Sequence, residues 1–248
     1  MIRKSFIILE RVGLQKEKSI WKEAESWDDF LKKGNIKGIS RMKKGFYDRQ
    51  LEKASFELRN DNAEYFKNIL PTTETWRLYN HFKNEAVYLD IETNDFSYPT
   101  VVGLYDGQNM KSFVKGINLD ARKLKEELSK YKLILTFNGA SFDLPVLNRY
   151  YPGCIPEIPH IDLRHVCARI NLKGGLKMIE TELGIRRPKH LLGMGGDHAV
   201  DLWRAWLASG DDEYLDLLIQ YNEQDVLNLE PLANIATQRM EETMLREI

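Results

Sequence analysis

AVYLDIE, residues 86–92, decides the fold. It is a short strand-forming run. PTVVGLYD (99–106) and NMKSFVK (109–115) follow it with turn residues between them, so three strands are predicted in succession. DARKLKEELSKY (120–131) then places Leu124 and Leu128 on one helical face. KLILTF (132–137) reads as a buried strand ending at the Asn138-Gly139 turn. SFDLPVLNRYY (141–151) reads as a helix whose Pro145 is tolerated near its start. The tail from Asp211 to Met240 is a long helix or a helix pair broken near Pro231. Three strands, a helix, a strand and then helices make an α/β fold with a mixed sheet.

Upstream the grammar differs. Residues 1–85 read as short helices, with FIIL (6–9) as the one strand-like run. SWDDFLKK opens on Ser26 as an N-cap with acidic residues in the first turn. ILPTTETWRLYNHF (69–82) breaks at Pro71 and restarts as a helix capped by Thr72 or Thr73. The boundary falls near 80–85, giving a helical, basic region over 1–83 and an α/β unit over 84–248. The formal net charge of −1 divides the same way, +5 over 1–85 and −6 over 86–248. Lys32, Lys33, Lys37, Arg41, Lys43, Lys44, Arg49 and Lys53 face only Asp48 and Glu52 within 32–53. Such a surface suits a phosphate backbone, and a solvated helix face explains it equally well.

The 248 residues are 43% apolar and 29% charged, enough for a real core and unlike a disordered chain. The longest apolar runs are far too short to span a membrane, so no membrane partner is expected. No signal-peptide pattern opens the chain, and a cytoplasmic location is the expectation. Cys154 and Cys167 are too few and too far apart for a thiolate metal cluster, and both are read as reduced.

The chemistry lies in the carboxylates. Residues i and i+2 of a strand point to one face, so Asp90 and Glu92 project together from the end of the first strand. Paired carboxylates on a buried strand repel and are costly to desolvate, and divalent cations relieve both. Oxygen ligands without thiolates select Mg²⁺ or Mn²⁺. Asp143 falls at a helix start, where the helix dipole favours its ionised form. Tyr221 and Asp225 are four apart on one helical face. Taken singly, each pattern is common on solvated surfaces.

In this order, VYLDIET (87–93), LTFNGASFD (135–143) and YNEQD (221–225) resemble the three motifs of the DnaQ-like, Asp-Glu-Asp-Asp superfamily of 3′→5′ exonucleases, with a ribonuclease H-like fold. Tyr221 stands where the superfamily's tyrosine subtype, DEDDy, carries its tyrosine, and Gln220 stands where the histidine subtype would differ. WRLY (76–79), HIDLRH (160–165), GGLKMIE (174–180) and AVDLW (199–203) extend the likeness to the YprB-like family over most of 70–232. ILERVGLQKEKSIWKEAESWDDFL (8–31) is similar to the degenerate helix-hairpin-helix segment that precedes this domain in relatives, with Gly13 as its single glycine. A helical cap on the nuclease fits that segment as well as a phosphate-binding hairpin does.

The resemblance implies a hydrolase working with two divalent cations about 3.5–4 Å apart. Asp90 would bridge both, Glu92 and Asp225 would complete the site of the attacking water, and Asp143 would hold the second ion. Tyr221 would hydrogen-bond to that water. Ile91, Thr93, Asn138, Phe142 and Lys177 are the candidate substrate contacts, Phe142 by stacking on a base and Lys177 by facing a phosphate. Asn138 is equally explained by its turn, and Asp162 is read as a helix N-cap ahead of any part in the metal site. The LGMGG stretch (192–196) is a loop near the cleft or a long connection. His160, His165, His190 and His198 show no ligand spacing. The expected partner is nucleic acid, DNA ahead of RNA and single-stranded, in end trimming or repair. An RNA-processing nuclease on the same fold and a non-catalytic nucleic-acid-binding module are the alternatives.

Overall fold

A computed structural model of the protein describes residues 1–246, so the last two positions of the 84–248 unit lie outside the described residues. Five α-helices precede the sheet: α1 (Leu14–Trp21), α2 (Trp27–Lys32), α3 (Arg41–Arg59), α4 (Ala63–Ile69) and α5 (Tyr79–Phe82). Ser26 caps α2 as expected, accepting from the Asp29 amide. FIIL forms no strand. The amides of Phe6 and Ile7 are taken instead by the Glu17 carboxylate, at 2.7 and 3.0 Å. After Pro71 the chain forms a 3-10 helix over Thr72–Leu78 with no side-chain cap, rather than a Thr-capped α-helix.

The three predicted strands are present as β1 (Ala86–Thr93), β2 (Pro99–Tyr105) and β3 (Met110–Val114). Next come α6 (Ala121–Leu128), β4 (Leu133–Thr136) and α7 (Asp143–Tyr150). A short β5 (His160–Asp162), unannounced by the hydropathy pattern, leads into α8 (Leu163–Arg169) and α9 (Leu176–Leu183). The chain ends with α10 (Gly196–Ser209), α11 (Asp212–Leu227) and α12 (Leu229–Arg246). The break in the tail falls at Asn228, and Pro231 sits in the first turn of α12, where a missing N–H costs nothing.

The strand order is β3-β2-β1-β4-β5. β1 runs antiparallel to β2 and parallel to β4, and β5 is parallel to β4, so the sheet is mixed. The parity of β1 sorts its two faces. Val87, Leu89 and Ile91 join Leu124, Leu128 and Leu147 in one apolar layer. Ala86 and Tyr88 face a second layer that contains Leu232 and Ala236 of α12 and, without a break, Phe6, Trp27, Leu51 and Phe66 of the N-terminal helices. Asp90 and Glu92 continue that second face. A third cluster packs Leu218 and Tyr221 of α11 and Trp203 of α10 over Val101 and Val114. Among the described residues, no helix is long and apolar enough to cross a membrane, and both cysteines are buried free thiols.

Candidate active site

The C-terminal half of β1 is the floor of the site, and α11 closes over it. One carboxylate oxygen from each of Asp90, Glu92 and Asp225 lies within 4.8 Å of the other two. Between them, the Asn222 amide nitrogen donates to Asp90 Oδ2 at 2.9 Å and to the Asp90 carbonyl at 3.3 Å. Gly103 makes that approach feasible. It pairs with Asp90 across the β1–β2 ladder, and a Cβ there would lie 2.2 Å from Asn222 Oδ1 and 2.8 Å from Val226 Cγ2. Gly103→Ala therefore displaces α11 from the sheet. We expect a loss of about 1–3 kcal/mol, the usual cost of overpacking, together with reduced turnover. Urea denaturation checks it, and an unchanged midpoint would show that α11 does not need the glycine.

Asp143 enters from the first turn of α7, as the sequence predicts. Its Oδ1 accepts from the Ile91 amide at 3.1 Å, which ties α7 to β1. The turn that delivers it is braced by Asp162, whose carboxylate accepts from the amides of Asn138 (2.8 Å) and Ala140 (3.1 Å) while capping α8. Asn138 adopts a left-handed φ of 69° in that turn. Its side-chain oxygen accepts from Arg164 at 2.6 Å and from Ser141 at 3.0 Å.

Two cations reach the carboxylates. Lys177, in the first turn of α9, donates to the Tyr221 hydroxyl at 2.6 Å and sits 4.4 Å from the ring centroid. It also donates to the Met194 carbonyl, so the 192–196 loop does border the site. Arg187 forms an ion pair with Asp225 Oδ1 and a two-pronged pair with Glu180, at 2.5 and 2.6 Å. Asn228 completes that chain by donating to Glu180 Oε1 at 3.1 Å. Sequence reasoning named Lys177 but missed Arg187, Glu180 and Asn222. Asn222 lies inside YNEQD, adjoining Tyr221 and three before Asp225. Arg187 carries no signal of its own in RRPKH.

Burial and mutual repulsion govern the electrostatics. Burial first, then the charges of Asp143, Asp225 and Glu92, raises the Asp90 carboxyl well above the carboxylate range. Burial and Asp225 do the same to Glu92, with Lys177 opposing. Burial raises Asp225 against the opposing pull of Arg187 and Lys177. Asp143 is pushed up to about 7, burial outweighing its backbone hydrogen bonds. The Tyr221 phenol is pushed up by burial and by the carboxylates of Asp225, Glu92 and Asp90, so it holds its proton firmly unless added positive charge offsets them.

A pH prediction follows from the raised acids. Between 3.8, the ordinary value, and about 7, Asp143 binds its proton more tightly in the folded protein than in the unfolded chain. Stability therefore falls as pH rises through this window, because the native state holds the extra proton. In EDTA, the thermal midpoint should decline from about pH 4 to pH 7 on this account, and Mn²⁺ should blunt the decline. A midpoint indifferent to Mn²⁺ across that range would contradict it.

The other expected contacts divide by position. Thr93 ends β1 half-buried, where the register with β2 shifts. Phe142 is 39% exposed beside Asp143, not in the core. Ile91 differs from the expectation of a substrate contact. Its side chain lies in the opposite apolar layer, 4% exposed, and its amide is already taken by Asp143. Strand alternation dictates this, since Asp90 and Glu92 occupy the site face.

The donor set suits a hard divalent cation. It consists of carboxylate oxygens, crowded and short of positive charge, and Asp225 Oδ1 is buried with no hydrogen bond beyond its ion-pair contact. Residues 87–237 match the family model of the RNase_H superfamily. Among solved structures, the chain is similar to Escherichia coli RNase D, described as an exoribonuclease involved in structured RNA processing. The identity is 20% and the TM-score 0.43, over 71% of this chain and 47% of that chain. The chain thus spans just under half of that protein. No curated protein matches it.

Proposed function

The chain belongs to the RNase_H superfamily, and from that premise we propose that it is a divalent-metal-dependent 3′→5′ exonuclease acting on single-stranded nucleic acid. The observation that carries the proposal is the convergence of Asp90, Glu92 and Asp225 within 4.8 Å, with Asp143 fastened to the same strand. Tyr221 in place of a histidine supports the tyrosine subtype, and the motifs over 70–232 support the YprB-like assignment. In this proposal residues 84–248 are the nuclease unit and residues 1–83 a helical region packed against it.

Asp90, Glu92, Asp143 and Asp225 would hold the cations, and their oxygen donors favour hard ions such as Mg²⁺ or Mn²⁺. Bound there, such ions would supply Lewis-acid stabilisation of the phosphoryl oxygens and make a nearby water more acidic. Asn222 fixes the rotamer of Asp90, and Arg187 restrains one oxygen of Asp225. Tyr221 orients the attacking water through its hydroxyl, and Lys177 holds that hydroxyl and faces the scissile phosphate. Phe142, exposed beside Asp143, stacks on the terminal base.

Tyr221→Phe should lower turnover about 100- to 10,000-fold, the range for a positioned proton-transfer group, with Mn²⁺ affinity near that of the wild type. An unchanged rate would remove Tyr221 from the reaction. The proposal itself is tested by digesting 5′-labelled single strands of DNA and of RNA, beside a covalently closed circle, with Mg²⁺ or Mn²⁺. A ladder of products shortened from the 3′ end is expected, with DNA cut ahead of RNA and the circle intact. Cleavage of the circle would make the protein an endonuclease.

A further inference from the structure

Helix α3 has two faces of opposite use. Tyr47, Leu51, Ala54 and Leu58 turn inward and are at most 2% exposed. The outer face carries Met42, Phe46, Arg49, Lys53 and Phe56, alternately four and three residues apart and so in one stripe. Met42 is 86% exposed, Phe46 38% and Phe56 58%. A helix that has already buried one face in the core has no folding reason to present large apolar side chains on the other. The same helix exposes Arg41, Lys43, Arg49, Lys53 and Arg59. Asp48 is engaged by Lys44 at 2.6 Å and half-buried Glu57 accepts from the Asn62 side-chain amide at 2.8 Å, which leaves Glu52 as the exposed acid on the helix.

We propose that this stripe is a binding ridge for single-stranded nucleic acid, separate from the carboxylate site. This inference rests on the nuclease reading for its biological sense. The order Phe46-Arg49-Lys53-Phe56 places a cation pair between two rings along one line. Bases stack on the rings while phosphates meet the guanidinium and ammonium groups. From Met42 to Phe56 the ridge is about 21 Å long at the helical rise, enough for several nucleotides. A protein partner would find an apolar stripe interrupted at its centre by Arg49 and Lys53, the latter 5.3 Å from the centroid of the Tyr65 ring. A single strand needs that alternation, and the net positive charge of the outer face complements its backbone.

The test measures fluorescence anisotropy of labelled oligothymidylate and oligouridylate, roughly 20 nucleotides long and so above the usual stacking-site size, in EDTA. The proteins are the full-length wild type, Phe46→Ala/Phe56→Ala and Arg49→Glu/Lys53→Glu. Turnover of a labelled trinucleotide with Mn²⁺ and sedimentation with phosphatidylglycerol vesicles run in parallel. Both variants should bind the oligonucleotides at least about 10-fold more weakly, and the charge variant, which removes two cations, should flatten the salt dependence by about 1.4 units of slope. Trinucleotide turnover should match the wild type. Wild-type binding by both variants would overturn the proposal, as would loss of vesicle binding with oligonucleotide affinity intact. If wild type leaves the trinucleotide uncut while the variants lose oligonucleotide binding, the ridge stands and the nuclease reading falls.

Discussion

Asp90→Asn should abolish nuclease turnover by about 10³-fold or more, equivalent to ~4 kcal/mol of barrier, while making the protein more heat-stable in EDTA. The two effects have one cause. Asp90 lies at the centre of the acidic cluster, where Asp143, Asp225 and Glu92 all raise its proton affinity. An Asn there needs no proton taken up on folding, so the cost that burial and the three acidic neighbours impose on Asp90 disappears. The substitution keeps an oxygen for the Asn222 amide, so packing survives. A gain of a few degrees in thermal midpoint is expected, at about 2–4 °C per kcal/mol in a chain of this size. Mn²⁺ should raise the wild-type midpoint and leave that of the variant near its metal-free value. A variant that is inactive but less stable would mean that Asp90 is a structural residue, and a variant of full activity would displace it from the site.

The largest stability effect is expected far from the carboxylates. Arg77 is wholly buried within the N-terminal helical region. It pairs bidentately with Glu17, at 2.7 and 2.9 Å, and through Nε with Glu74 at 2.7 Å. Glu17 in turn holds the amides of Phe6 and Ile7, so one guanidinium anchors the first turn of the chain. Arg77→Met leaves two buried carboxylates without their cation, although Arg169 still reaches Glu74 at 3.0 Å. Breaking a buried pair in this way costs about 3–5 kcal/mol. Urea denaturation should show it as a lowered midpoint. Adding Glu17→Gln to the variant should recover part of the loss. A change below about 1 kcal/mol would place the pair among the solvated ones that contribute little.

The carboxylate geometry was legible because strand parity and helix periodicity are local rules. Asp90 and Glu92 share a face because they are two apart in a strand, and Tyr221 and Asp225 share one because they are four apart in a helix. Asp143 was placed at a helix start by the Asn-Gly turn before it. What escaped depends on partners distant in sequence. Residues 160–162 pair with β4 as a strand although the segment is too short and polar to show alternation. FIIL looks like a strand, but a carboxylate from α1 satisfies its amides. Arg187 acquires meaning only when α9 and α11 bring Glu180 and Asp225 to it. Gly103 reads as an ordinary strand glycine until Asn222 is seen against it. The 32–53 bases were legible as charge, whereas their alternation with exposed rings required knowing which face of α3 the core takes.

The most direct test of the carboxylate site is isothermal titration of Mn²⁺ into the wild-type protein and into Asp90→Asn. The wild type should bind Mn²⁺ saturably, and the variant should lose that binding. Equal binding by both proteins, or none by either, would contradict it.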